Sequence, residues 1–291
     1  MREFREVWRY REVLLNLVRR NLKVRYKNSV LGFFWSLLNP LMQIGVWWFV
    51  FKIIMENDEP NYMAKLVCGF LPWLFFSQTV LDSTACVTQE MALVKKAYFP
   101  RTILPLSALF SNLVHLALAF VVLLGLYAAW QIDVNIYWLW VLPCIVLIAV
   151  FAYGLSAMLA AWSVFYADIK FIVGNTLGLW FFLTPVLYSI TGFLGKEGLA
   201  RTNWLTNFIA DQLPAIKMIY LADPVAIGIL GFRSALLYGG QNPLLDPEHP
   251  QLVAAYPFVS YIIVACAIAL VTAIVGHMVF RKLAHQFAER G

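Results

Sequence analysis

Six runs of mainly apolar residues, each at or above the ~20 residues that a helix needs to cross a bilayer, dominate this 291-residue chain. They cover about 30–54, 66–87, 104–130, 138–166, 171–190 and 257–280. A soluble domain would break such runs with charge to keep its exterior wetted. Here 62% of the residues are apolar and 13% are charged, about half the charged share of soluble domains. In lipid a backbone must satisfy its own polar groups, and a helix does so within one segment. The expected fold is therefore an all-α integral membrane protein with six transmembrane helices.

Two other apolar stretches are too short or too broken to cross. Residues 203–221 contain Asp211, Pro214 and Lys217, and residues 224–238 contain Arg233. Both read as short re-entrant helices dipping into the outer face between spans five and six, in the region 203–240. The chain divides into an amphipathic interface helix at 1–29 and a membrane domain at 30–291, with no internal repeat. The first 29 residues are basic and lack the continuous apolar core of a cleavable signal.

Charge sets the orientation. With both termini inside, the inner segments are 1–29, 88–103, 167–170 and 281–291, and they carry sixteen of the 22 Lys and Arg residues. Only six acidic residues share those segments: Glu3, Glu6, Glu12, Glu90, Asp168 and Glu289. The outer segments are net acidic. Positive residues stay inside, so the termini are expected in the cytoplasm and the chain in the cytoplasmic (inner) membrane. The same distribution accounts for the net charge of +6 without a nucleic-acid partner. In residues 1–29, Val13, Leu14, Leu17, Val18 and Leu22 fall at helical spacing opposite Arg9, Arg11, Arg19, Arg20, Lys23, Arg25 and Lys27. Such a helix lies on anionic headgroups, either as an anchor or as a lever moved by a partner.

Motifs of soluble chemistry are missing. There is no GxxxxGK[ST] phosphate loop, no HExxH, no paired CxxC and no GxSxG. Cys68, Cys86, Cys144 and Cys266 are far apart and each sits in an apolar run, as packing residues do. No catalytic residue, metal ligand or cofactor is expected on this chain. Asp82 is the one acid well inside a span, and Asn112 and His115 fall at comparable depth on span three. Either Asp82 accepts a hydrogen bond from one of them, or it reaches up to headgroup water.

The loop at 88–103 carries most functional information. Leu93, Val94, Ala97 and Tyr98 form one face of a short helix that Pro100 ends, with Lys95 and Lys96 off that face. An exposed apolar face needs a cover, and either a partner protein or the N-terminal helix would serve.

Four stretches resemble one family in order along the chain: RRNLKVRYKNSVLGFFWSLLNP at 19–40, LVKKAYFPRTILPLS at 93–107, YADIKFIVGNTLGLWFFLTPVLY at 166–188 and DPVAIGILGFRSALL at 223–237. They resemble the membrane (permease) subunit of ABC-2 type polysaccharide-exporting ABC transporters, which export O antigen, teichoic acid or capsule. The resemblance implies a homodimer of this chain with two copies of a separate ABC ATPase that binds ATP and Mg. It implies a lipid-linked glycan passing along the homodimer interface. It makes 88–103 the coupling segment, with Glu90, Leu93, Val94, Lys95, Lys96, Tyr98, Phe99 and Arg101 as its contact residues. A permease of the same class exporting a drug or another lipid is the alternative, and a membrane-embedded enzyme or passive channel a third.

Sugar rings stack on aromatic faces, and 16% of the residues are aromatic. Phe34, Phe181 and Tyr188 are the candidate path residues, with Arg233 near the exit or capping a helix turn. Trp47, Trp48, Trp130, Trp138 and Trp140 fall near outer helix ends and read as an interfacial belt.

Overall fold

The computed structural model describes residues 2–25, 35–54, 62–96, 98–130, 135–187, 222–237 and 258–287. Among these residues the chain is helical apart from short turns, and no strand occurs. In order the helices are α1 (Arg2–Arg9), α2 (Arg11–Arg25), α3 (Trp35–Trp48), α4 (Tyr62–Gln89), α5 (Met91–Lys96), α6 (Ile103–Ala129), α7 (Val141–Ser163), α8 (Ile169–Leu183), α9 (Pro224–Leu237) and α10 (Phe258–Ala284). A π-helical turn, Phe49–Ile54, prolongs α3, and a 3-10 turn, Ile136–Trp140, leads into α7.

Four helical segments among the described residues are long and apolar enough to cross a membrane: α4, α6, the 3-10 turn with α7, and Ser260–Ala284 of α10. The expected first and fifth spans are represented by shorter apolar helices, and residues 30–34 and 188–190 of those runs lie outside the described part. The fifth stops early for a local reason. A residue before proline is disfavoured in helical conformation, and Thr184, which precedes Pro185, is extended at φ −89°, ψ 152°. The helix therefore ends at Leu183 and not near 190.

Helix α4 is the hub, packing on α6, α7, α8 and α9. It is apolar and buried on nearly every side, as expected of a helix without a polar face. Two of its hydroxyls are satisfied by its own preceding turns, Thr79 donating to the Phe75 carbonyl and Thr84 to the Val80 carbonyl, each at 2.7 Å, while Ser83 Oγ is buried without a hydrogen-bond partner among the described residues. Against it α7 presents small residues, Ala152, Ser156, Ala160 and Ser163. Ser163 Oγ donates to the Thr84 carbonyl at 2.5 Å. Small residues at a helix contact let backbones approach, which is how membrane helices gain dispersion energy.

The same device joins α7 to α10, the most extensive helix pair. A Cβ at Gly276 would stand 1.9 Å from the Gly154 carbonyl oxygen, and one at Gly154 would stand 2.5 Å from Thr272 backbone atoms. Tyr153 Oη and His277 Nδ1 are 2.8 Å apart across the same contact. The outward face of α10 exposes Ile263, Leu270, Val271, Ile274 and Met278, the surface of a lipid-facing helix.

Of the two stretches expected as re-entrant helices, 224–238 forms a short helix, α9, and 203–221 lies outside the described residues. At about 21 Å, from 14 residues rising 1.5 Å each, α9 is too short to cross. It is buried on all sides against α4 and α7.

Candidate functional site

At one end of the bundle a second apolar cluster gathers Leu17 of α2, Val87 of α4, Val94 of α5, Phe99, Ile103 and Leu104 at the start of α6, Ala160 of α7, Phe280 of α10 and Phe287 just beyond it. Both ends of the chain therefore meet at this end. The question left open by the sequence, what covers the apolar face of the 88–103 helix, has an internal answer. Val94 and Phe99 are buried in the cluster and Leu93 is half-buried against it. Leu17 of the N-terminal helix is among their neighbours.

What remains outward is polar or aromatic. Tyr98 is 97% exposed, and Lys95 and Lys96 are exposed on the last turn of α5. Arg101 is half-buried, with its guanidinium 5.8 Å from the centre of the Phe287 ring. Its Nη1 is buried without a hydrogen-bond partner among the described residues. Glu90 faces the opposite way. Arg20 Nη1 donates to Glu90 Oε2 at 2.6 Å, and Arg20 Nη2 donates to Glu90 Oε1. This forked pair clasps α2 to the turn before α5. A guanidinium suits it because its planar donors match both carboxylate oxygens. Arg20 was expected only as a headgroup contact, and a clasp across 70 residues leaves no periodic mark in a sequence.

Behind the clasp, between α2, α4 and α6, lies a cavity of about 530 Å³. Its wall follows helical spacing along two elements: Asp82, Cys86 and Gln89 on α4, and Leu104, Ser107, Ser111 and His115 on α6. Asn112 Nδ2 donates to Asp82 Oδ2 at 2.8 Å. Asp82 is thus held by span three, and His115 lines the same cavity.

Toward the other end, aromatic rings form a layer. Phe181 is half-buried, with ring centres 5.9 Å from Trp47, 5.7 Å from Trp73 and 6.5 Å from Phe70. It packs within the bundle, and Phe182 beside it is exposed. Trp47 and Trp138 also turn inward, Trp138 against Phe120 and Tyr127, so the interfacial belt shrinks to Trp48, Trp130 and Trp140. Phe34 and Tyr188 lie outside the described residues.

Arg233 is buried within the chain. Its Nε donates to the Lys65 carbonyl at 3.0 Å and its Nη2 to the Val186 carbonyl at 2.6 Å. The capping half of its expectation fits this placement. Gly69 makes room for it, since a Cβ there would stand 2.9 Å from Arg233 Nη2. Sequence reasoning missed Asp223. It caps α9 by accepting from the Val225 N–H at 2.9 Å and from Trp180 Nε1 at 3.0 Å. Burial pushes its carboxyl up to about 6, against the lowering effect of those two donors and of the Ala226 N–H. The Asp-Pro start was the available signal, because Asp at N-cap followed by Pro at the first helical position marks a helix start.

Among the described residues no group of His, Cys, Asp and Glu could hold a metal ion. The family model for ABC-2 type transporters matches residues 12–210. The O-antigen export system permease protein RfbA of Myxococcus xanthus is 38% identical over 252 residues, covering 81% of this chain and 95% of the relative. A protein of the same name from Klebsiella pneumoniae is 27% identical over 280 residues, covering 96% of this chain and 94% of the relative.

Proposed function

This chain belongs to the ABC-2 type transporter family, and on that premise we propose that it is the transmembrane subunit of an ATP-driven exporter of a lipid-linked polysaccharide. The cargo is of O antigen, teichoic acid or capsule type, in keeping with the relatives' names. The chain is a permease and not an enzyme. ATP and Mg bind a separate ABC ATPase, present in two copies. The chain crosses the cytoplasmic membrane six times with both termini inside. Two copies form the channel at their interface.

The observation that carries this reading is the division of labour in segment 88–103. Val94 and Phe99 are anchored in the chain's own core, while Tyr98, Lys95 and Lys96 stand clear of it. A rigidly seated tip with a bare aromatic ring and two cations is what a docking partner needs. Pull on that tip passes to α2 through Arg20–Glu90 and to α6 through Phe99 and Ile103. Glu90, Leu93 and Arg101 seat the tip. Phe181 and Arg233 brace the wall of the glycan path by packing behind it, and Phe34 and Tyr188 are its proposed lining.

Purification with the proteins encoded beside it tests the assignment. An ABC ATPase should co-purify, and Tyr98→Ala combined with Lys95→Glu and Lys96→Glu should release it at unchanged permease yield. Cells lacking the chain should retain lipid-linked glycan on the cytoplasmic leaflet. Unchanged ATPase association in the triple variant, or normal surface glycan in those cells, would sink the reading.

A further inference from the structure

Helices α8 and α9 are held in opposite ways. Twelve of the fourteen residues of α9 are buried, against two of the fifteen in α8, Val173 and Leu177. Helix α9 is also pressed close on α7. A Cβ at Gly228 would stand 2.5 Å from the Ile148 side chain, and one at Gly231 would stand 2.6 Å from Cys144 Sγ. A segment with few buried contacts opens at lower free energy than a fully packed one. Of this pair, α9 is the fixed element and α8 the movable one.

The hold on α8 is concentrated at one end. Over residues 169–176, Val173 is the one buried side chain. Asp168, at the N-cap, makes no side-chain capping bond. The C-terminal end differs. Thr184, Pro185 and Val186 are buried, and three hydrogen bonds converge there. Trp180 Nε1 donates to Asp223 Oδ2 at 3.0 Å, Arg233 Nη2 donates to the Val186 carbonyl at 2.6 Å, and Tyr62 Oη donates to the Leu187 carbonyl at 3.0 Å. Two of the three involve α9 or its cap. The Trp180 ring is also wedged among Phe76, Phe151 and Trp73, with centres 5.3, 6.2 and 6.5 Å away. With a pKa of about 6, Asp223 is ionised at neutral pH. Its bond with Trp180 is then charge-assisted, roughly twice as strong as a neutral one.

We infer that α9 is the anchor of α8: Asp223 and Arg233 pin the C-terminal end of that helix, and α8 moves by swinging its N-terminal half about this point. Trp180, Asp223 and Arg233 are positioning residues in this scheme. Hinges sit at a few element-terminal residues that absorb the change in backbone angle. Eight residues separate Trp180 from Ile172, about 12 Å of helix, so a tilt of about 10° moves Ile172 by about 2 Å. A swing of this kind asks only that the chain be a permease that changes shape, whatever its cargo.

Double electron–electron resonance on the full-length chain in nanodiscs tests this without ATPase or glycan. Cys144→Ala and Cys266→Ala remove the half-buried thiols, and unlabelled chain dilutes the labelled one so that only distances within one copy count. Reference labels go at Ile263 and Met278, on the exposed face of α10, which closes on α7 at Gly154 and Gly276. Ile263→Cys with Leu183→Cys reads the pinned end, and Met278→Cys with Ile172→Cys reads the free end. The Leu183 distances should be narrow and the Ile172 distances about 2 Å broader. Trp180→Phe keeps a ring among the aromatic neighbours and removes the N–H. It should raise the released population of the pinned end about tenfold, the worth of one charge-assisted hydrogen bond, and so spread the Leu183 distances while the chain still melts cooperatively. Asp223→Asn keeps an accepting oxygen and should spread them less. Equal spreads at the two ends of the native chain overturn the inference. So does a Leu183 distribution that neither variant changes.

Discussion

Single side chains decide how the short buried helix α9 is held within the bundle. Arg233 is affordable there because two carbonyls, those of Lys65 and Val186, take its donors. Arg233→Met should therefore strand both carbonyls and lower stability by about 2–4 kcal/mol. Thermal unfolding in detergent measures this, and Arg233→Lys should recover part of the loss. Asp223 offers a test in pH. Its folded pKa, about 6, lies above its ordinary value of 3.8. The folded state then holds a proton that the unfolded state has released between those values. The stabilisation is complete below about pH 4, falls as pH rises to about 6 and stays level above. Two pKa units correspond to about 3 kcal/mol. Melting curves from pH 4 to 7 should show this slope in the native chain and a flatter profile in Asp223→Asn. Neither residue's partner was readable beforehand. Arg233 was visible as an isolated charge, but its carbonyls come from segments 168 and 47 residues away.

At the scale of helices, contacts depend on what lets two axes approach. The α7–α10 pair closes on Gly154 and Gly276, where any added Cβ meets backbone atoms. Backbone cannot rotate away as a side-chain tip can. Gly276→Val should cost about 3 kcal/mol, visible as a lowered melting temperature, whereas Gly125→Ala, with nothing within 4 Å, should leave it unchanged. The α2 clasp is a different kind of contact. Arg20 is 44% exposed, so its pair with Glu90 adds no more than about 1 kcal/mol to stability. Its value lies in direction, tying the N-terminal helix to the turn before α5. Arg20→Glu or Glu90→Arg alone should cut glycan export at near-normal yield and ATPase association. The exchanged pair, Arg20→Glu with Glu90→Arg, should restore much of it. Export that is normal in the single variants would remove the clasp from the transmission path. The helices themselves were legible from apolar periodicity, and the early end of α8 was legible from Pro185. The clasp was not, since a salt bridge leaves no spacing rule in the chain.

For the molecule as a whole, α4, α7 and α10 end, and α6 begins, on the side where the shared cluster of Leu17, Val94, Phe280 and Phe287 lies. That side also carries exposed Lys95, Lys96, Arg281 and Lys282, which is where positive charge belongs if it faces the cytoplasm. Cysteines placed at Lys96 and Lys282 should then react with an impermeant thiol reagent only after the membrane is opened, while one at Tyr137 should react in intact spheroplasts. The reverse pattern would invert the orientation. Membrane residence and the long apolar helices follow from the sequence alone, and the proposed orientation and coupling segment are argued from it too. They rest on hydrophobic length and charge counts, which are sums over neighbours in the chain. Tertiary structure alone decided which face of that segment is spent on the chain's own core, that Asp82 opens on a polar cavity and that Arg233 donates to the Lys65 and Val186 carbonyls. Those outcomes depend on which distant segments meet, and a contact between helices is recorded in geometry, not in periodicity.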